Sequence, residues 1–361
     1  MRTWTNRLFV FVLFISILPN LSQAQPFKLT QLPRVYQARE VQASANLKNV
    51  LTVQRKLIDE RKLSFNVANT QVSELKLEAI TGVTALNRPE AEKLSSQLRV
   101  QKLDPEVLEM INKWRLPACW TSSKTYDARA HNLVPAIRWQ RCGDCWAYSA
   151  CGTLEISYIK VNGVNPPASV DLSERQLMSC SGGGSCSGGW PYKIDQWLTS
   201  SGAKVMNEAD APDNATDHPC PATPASAHVQ MSSWGLVDPA AGLYGIASVD
   251  KIKEAICTYG SVSVCLMATP LFQNYADGVF NETPSNPQNP SINHAVVLVG
   301  WDDNKGAWLL RNSWSTNWGM DGYCWIKYNT NNIGFGAIWS IAKKNQLRMV
   351  TPIKDLKMKT N

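Results

Sequence analysis

Gln140-Arg-Cys-Gly-Asp-Cys-Trp-Ala-Tyr-Ser149 sets a cysteine, Cys145, at the start of a stretch that reads as a helix, with Cys142 three residues before it. The start of a helix carries partial positive charge, which favours thiolate over thiol, so a cysteine there is a candidate nucleophile. Ala147, Cys151, Leu154 and Tyr158 recur at helical spacing and predict an apolar stripe. Asn162-Gly163, with Pro166-Pro167 beyond, marks the end of the helix. Asp144 stands at the N-cap position, where a side-chain oxygen can satisfy an orphan N–H and stabilise the helix by about 1 kcal/mol. Its charge would also raise the neighbouring thiol's pKa and oppose negative charge developing on a carbonyl oxygen.

A thiol nucleophile needs a base within hydrogen-bond reach and a third group to orient that base. The chain has four histidines: His131, His218, His228 and His294. His294 opens Asn-His-Ala-Val-Val-Leu-Val-Gly-Trp301, whose apolar run reads as a buried strand about 150 residues past Cys145. Trp308-Leu-Leu-Arg-Asn-Ser-Trp-Ser-Thr-Asn-Trp-Gly319 follows, then Gly322-Tyr-Cys-Trp-Ile-Lys327. The other three histidines read as surface or hydrogen-bonded side chains. The competing reading sets His218 or His228 in a cleft to hold a peptide terminus. Cys142 and Cys145 lack a second ligand pair, so no metal site is expected.

Taken together, these three segments resemble the signatures of papain-like cysteine proteases. The first is similar to C-G-[SA]-C-[WY], with Asp144 in the Ser/Ala position, and the third to N-S-W-G-x-x-W-G, with Ser315 in place of the first glycine. The resemblance implies an α+β, papain-like two-lobe fold: a helical lobe, an antiparallel barrel-like lobe and an active site in the cleft between them. It implies that Cys145 attacks a peptide carbonyl, that His294 shuttles the proton, and that Asn312 orients His294 beneath Trp314. A thioester forms and water then hydrolyses it. Gln140 and the Cys145 N–H would hold the oxyanion. Gln140 lies five residues before the nucleophile rather than the family's six, so an ordinary loop glutamine is the other reading. Gly188 and Gly189 would meet the substrate backbone, with Trp190 and Pro191 as an apolar wall. Pro191, Ile292 and Ala295, with uncharged Asn293, would favour a hydrophobic residue at P2, two before the cut. The resemblance also pairs Cys142 with Cys186 and Cys180 with Cys220, and requires no cofactor.

Ten cysteines fit an exported protein. With Cys145 set aside nine remain, so intramolecular pairing leaves at least one more thiol free, and buried Cys151 is the candidate. Cys119, Cys257, Cys265 and Cys324 have no partner that sequence can assign. Arg2 and Arg7, the apolar run Leu8 to Leu18 and the small residues Ser22 and Ala24 read as a signal peptide over 1–24. No later stretch is apolar enough to span a bilayer, so no membrane is expected after cleavage. A net charge of +7 is spread along the chain, and the lysine-bearing tail 346–361 reads as a solvated end, so nucleic acid is not expected. Asn214-Ala-Thr and Asn281-Glu-Thr are glycosylation sequons, meaningful in a eukaryote.

Residues 25–120 read as an inhibitory, partly helical prosegment, although they lack the family's common long-helix pattern in a register that can be matched. Leu47, Val50, Leu51, Leu57 and Ile58 predict one helix, and Ser64 to Asn69 an extended piece. Leu94, Leu98, Leu108 and Ile111 predict helical turns around Asp104-Pro105. Cleavage is expected between Arg115 and Tyr126. The peptidase domain is expected over 121–345, in lobes of about 127–230 and 231–345. The second lobe should hold a helix near Val249–Tyr259 and strands near 261–267, 295–300, 307–311 and 322–328. Pro284–Pro290 reads as a surface loop, either a gate or a passive connector. The chain therefore reads as an exported, monomeric cysteine endopeptidase precursor acting on proteins or peptides, in a periplasmic, extracellular or lysosome-like compartment. The alternatives are an aminopeptidase or dipeptidyl-peptidase of the same family, and a catalytically silent binding scaffold.

Overall fold

The computed structural model describes residues 32–100, 105, 107–109 and 119–343. The signal-peptide reading, the expected helical residue Ile111 and the tail lie outside the described residues. Helices are α1 (Arg34–Gln42), α2 (Ala45–Arg61), α3 (Leu77–Ile80), α4 (Arg88–Val100), α5 (Cys145–Asn162), α6 (Glu174–Cys180), α7 (Pro191–Ser201), α8 (Val249–Tyr259) and α9 (Pro270–Gln273). Strands are β1 (Ser64–Val67), β2 (Thr125–Asp127), β3 (Gly184–Ser185), β4 (Gly188–Gly189), β5 (Lys204–Val205), β6 (Val229–Leu236), β7 (Val262–Leu266), β8 (Tyr275–Phe280), β9 (His294–Asp302), β10 (Ala307–Arg311), β11 (Tyr323–Lys327) and β12 (Phe335–Ala342).

One sheet runs in the order β1-β8-β11-β10-β9-β7-β12-β6-β5, with β2 added on β9. Its pairs are antiparallel apart from β8 with β11, so the expected antiparallel lobe contains one parallel contact. The expected lobe boundary at 230/231 falls inside β6, which pairs with β5 at Gln230 and with β12 at Met231, so both lobes share this strand. β9 is buried throughout, as its β-branched run suggests, and its first residue is His294.

α5 begins at Cys145 and ends at Gly163, whose φ of +63° closes the helix in the left-handed conformation. The predicted stripe understates its burial. Nearly every α5 residue is buried, because β9 and β12 pack on it from one side and α6 and α7 from the other. A helix enclosed in this way needs no polar face. The Asp144 side chain makes no capping bond, correcting the expected cap. The backbone carbonyl of Asp144 accepts from the N–H groups of Ala147 (2.8 Å) and Tyr148 (3.2 Å) instead.

The N-terminal segment lies on the sheet lobe and then crosses the cleft. Leu47, Leu51 and Ile58 of α2 are buried, while Val50 is 38% exposed, so the predicted helix exists with a narrower apolar face. β1 extends the sheet on β8. The Tyr36 hydroxyl donates to the Gly319 carbonyl (2.7 Å), and the Gln54 amide to the Pro270 carbonyl (3.0 Å). Beyond the cleft, Ser95 of α4 accepts from the Leu243 N–H (2.9 Å), and the Arg88 guanidinium lies over Tyr244.

Disulfides join Cys142 to Cys186, Cys180 to Cys220 and Cys119 to Cys257. The third was not assignable from sequence. Cys145, Cys151, Cys265 and Cys324 are free and buried. Pro284–Pro290 is tied down rather than loose. The Ser285 N–H donates to the Asn329 carbonyl (2.9 Å), and the Asn286 N–H to the Asn332 side chain (2.7 Å).

Candidate active site

Cys145 at the first turn of α5 and His294 at the start of β9 meet between the lobes. The backbone N–H of Gly82 donates to the Cys145 sulfur (3.2 Å), and the N–H of Ala295, the residue after His294, also faces that sulfur. His294 Nε2 is 2.8 Å from Asn312 Oδ1. Asn312 Oδ1 also accepts from the Ser313 N–H (2.9 Å), which identifies it as the oxygen and assigns the ring proton to Nε2. Nδ1 is left buried without a partner and able to take a proton. Trp314 stacks on His294 at 4.5 Å between ring centroids and excludes water from that bond.

Gln140 reaches the site despite its shorter loop. Its N–H donates to the Ser313 carbonyl (2.8 Å), and its side-chain oxygen accepts from the Ser313 hydroxyl. Ser313 was not singled out in the sequence, although it lies within the Asn-Ser-Trp motif. Anchored by Ser313, the Gln140 amide donates to the Cys142 carbonyl (2.8 Å) and to the Ile80 carbonyl (3.1 Å).

Residues 80–84 of the N-terminal segment occupy the cleft. The Gly82 N–H donates to the Cys145 sulfur (3.2 Å), and the Gly82 carbonyl accepts from the Gly189 N–H (2.7 Å). The Val83 N–H donates to the Asn293 carbonyl (2.9 Å), and the Trp190 indole to the Thr84 carbonyl (3.1 Å). Val83 pairs with Gly189 in parallel. A Cβ on Gly82 would lie 1.6 Å from the Gly143 carbonyl oxygen, so only glycine passes so close to the nucleophile. The sulfur thus faces a peptide N–H of the segment. Burial pushes the Cys145 thiol up to about 12 and the His294 imidazole down to about 4, so the covered pair is neutral.

Ile292 lines a cavity of about 260 Å³ with Leu86, Tyr244 and Phe335. Ala295 is buried in β9, Pro191 at the first turn of α7, and Gly188 beside Gly82 and Thr84. The remaining histidines lie among other partners. His131 stacks on Tyr126, His218 bonds Asn214 and Thr216, and His228 sits on Tyr158.

The family model described as papain family cysteine protease matches residues 122–342. The chain belongs to the papain family. It is 34% identical over 224 residues to cathepsin L of Sarcophaga peregrina, covering 60% of this chain and 62% of that protein. Against cathepsin L1 of Drosophila melanogaster it is 34% identical over 226 residues, covering 60% and 57%. The match therefore spans about three fifths of the length of these curated relatives. The structure of digestive procathepsin L 3 of Tenebrio molitor larval midgut superposes with a TM-score of 0.60 at 21% identity, over 86% of this chain and 93% of that one. Bromelain of Ananas comosus, solved with the E64 inhibitor, gives 0.51 at 26% identity, over 61% and 99%. The procathepsin likeness reaches beyond 122–342 into the N-terminal segment. At this fold level the papain-like α+β expectation holds. No helix among the described residues is long and apolar enough to cross a membrane.

Proposed function

We propose that this papain-family chain is a cysteine endopeptidase made as an exported precursor, with residues 25–120 as its inhibitory prosegment. The observation that carries this reading is that Cys145 and Gln140 both bond residues 80–84, while His294, held by Asn312, directly precedes Ala295, whose N–H faces the same sulfur. Once that stretch leaves, His294 Nδ1 takes the Cys145 proton. The move is internal to the pair and needs no net proton uptake. The thiolate attacks a substrate carbonyl carbon, and its oxygen takes the place where the Ile80 carbonyl now meets Gln140. His294 returns the proton to the leaving amine, and water then hydrolyses the thioester. Donors already aimed at a carbonyl oxygen cost no reorganisation during reaction.

A polypeptide runs through the cleft and emerges at both ends, toward α3 and toward α4. This supports cleavage within chains over removal of terminal residues. His218 and His228 make their contacts elsewhere, which disfavours the aminopeptidase reading. Ile292 and Phe335, which border a cavity together with Leu86 of the N-terminal segment, support a hydrophobic P2 residue. Purified precursor incubated at several pH values beside Cys145→Ala tests the whole reading. Wild type should process itself and then cleave a blocked peptide, and the variant should do neither. A variant as active as wild type would end the proposal.

A further inference from the structure

Asp144, immediately before the nucleophile, is 1% exposed and its Oδ1 has no hydrogen-bond partner. It does not serve as a side-chain cap, so helix capping does not account for it. The charged groups that act on it belong to the peptidase domain. Asp213 and Asp217 approach from the 211–228 loop. The Asp213 carboxylate accepts from the Tyr148 hydroxyl of α5 (3.0 Å) and the Ala215 N–H (3.0 Å), and Asp217 from the Cys186 N–H (2.7 Å). Each neighbouring carboxylate thus accepts from a group elsewhere in the chain, whereas the backbone contact of Asp144 is with its own N–H and its Oδ1 has none. Among the described residues Arg141 is the cation that acts on Asp144, and its guanidinium donates to the Asp213 backbone carbonyl (2.8 Å). Burial first, and then Asp213, hold the Asp144 carboxyl well above the usual carboxylate range.

We propose that Asp144 is a positioning residue that makes Cys145 acid-selective: its neutral carboxyl leaves the positive start of α5 free to hold the thiolate, and its ionisation withdraws that support. The proposal rests on Cys145 being the nucleophile. Proton loss from Asp144 sets a negative charge beside the sulfur and beside the oxyanion that forms during attack. The rate should therefore fall with rising pH as Asp144 ionises. A serine or alanine at this position would impose no such limit.

The test uses full-length protein after processing. Iodoacetamide labelling of Cys145 and kcat/KM on a blocked peptide are followed from about pH 5 to pH 8, the range in which histidine charge changes. Asp144→Asn keeps the shape of the neutral acid, and Asp144→Ser serves if the first variant does not fold. At about pH 5 variant and wild type should agree within a few-fold. At about pH 8 the variant's kcat/KM should be about tenfold above wild type, as one like charge beside the forming oxyanion predicts, with labelling less affected because an activated thiol is already thiolate there. Superimposable profiles overturn the proposal and leave the protease reading standing. A wild-type loss not recovered on return to about pH 5 also overturns it, since that is unfolding rather than ionisation. If Cys145→Ser labels as fast as wild type, the nucleophile assignment itself fails.

Discussion

The peptidase domain and the N-terminal segment that crosses it are held by different means. Within the domain, fully buried β9 and β10 and the edge-to-face pair Trp314 and Trp318 demand particular side chains at particular places. Across the cleft the segment's hydrogen bonds are made by main-chain groups, from the Ile80 carbonyl to the Thr84 carbonyl, while the side chains of Ile80 and Val83 are buried. Main-chain recognition tolerates sequence change except where a Cβ has no room, as at Gly82. The domain therefore depends on what its residues are, and the cleft-crossing strand on which residue is absent.

The largest expected effect is at the nucleophile. Cys145→Ala should lower peptide hydrolysis by at least about 10⁴-fold, judging from other hydrolases that have lost their nucleophile. Peptidase assays on externally processed protein check this, and a smaller loss would mean that another group attacks.

Release of the segment should be all-or-none with respect to Cys119. A cut after Cys119 leaves everything upstream disulfide-bonded to Cys257. A tethered inhibitor sits at roughly millimolar effective concentration and would rebind. The cut is therefore expected before Cys119, with the segment leaving on a gel run without reductant. A fragment that separates only after reduction would move the junction past Cys119.

Covering and uncovering should also change the thiol's reactivity. With residues 80–84 in place the thiol stands at about 12, whereas an activated cysteine lies near 3.5–7.5. Iodoacetamide at neutral pH should modify the processed enzyme at least about 10²-fold faster than the precursor. Equal rates would mean that the segment does not occlude the sulfur in solution. Gly82→Ala sharpens the same contrast. Overpacking of this kind costs about 1–3 kcal/mol, so precursor labelling should rise by about tenfold or more. The processed enzyme, which lacks residue 82, should be unchanged.

The two regions were unequally legible in sequence. Cys145, His294 and Asn312 announce themselves because a thiol at a helix start, a histidine opening an apolar run and an Asn-Ser-Trp turn are each uncommon. Gln140 was placed in doubt by its one-residue offset, and the structure shows why the offset is tolerated. Ser313 grips Gln140 through both backbone and side chain, a tertiary contact that spacing does not encode. β8 and β12 went unread. β8 carries Asp277-Gly278, which reads as a turn, and β12 carries Gly336. Ile80 and Gly82 carried no chemical signal of their own, since Ile80 presents a carbonyl and a buried apolar side chain and Gly82 lacks a side chain. The Cys119–Cys257 bond depends on two buried cysteines meeting across 138 residues.

The smallest effect tests whether the segment strains the domain it covers. Ser315 stands where the family has glycine and adopts φ +71°. The left-handed region costs a residue other than glycine roughly 1–2 kcal/mol, and glycine's greater freedom in the unfolded chain returns about 0.5–1 of that. Ser315→Gly also loses the Ser315 hydroxyl as acceptor for the Asn317 N–H (3.2 Å). The net gain should be about 0.5 kcal/mol, or roughly 1–2 °C in Tm. The Asn317 carbonyl accepts from the Gln71 N–H (3.0 Å), so this turn touches the N-terminal segment. An equal gain in precursor and processed enzyme means that the turn is set by the domain, through the Ser315 N–H bond to the Arg138 carbonyl (3.0 Å). A gain confined to the precursor would mean that Gln71 holds Ser315 in its left-handed state, and the separation between the two regions would then fail at this turn.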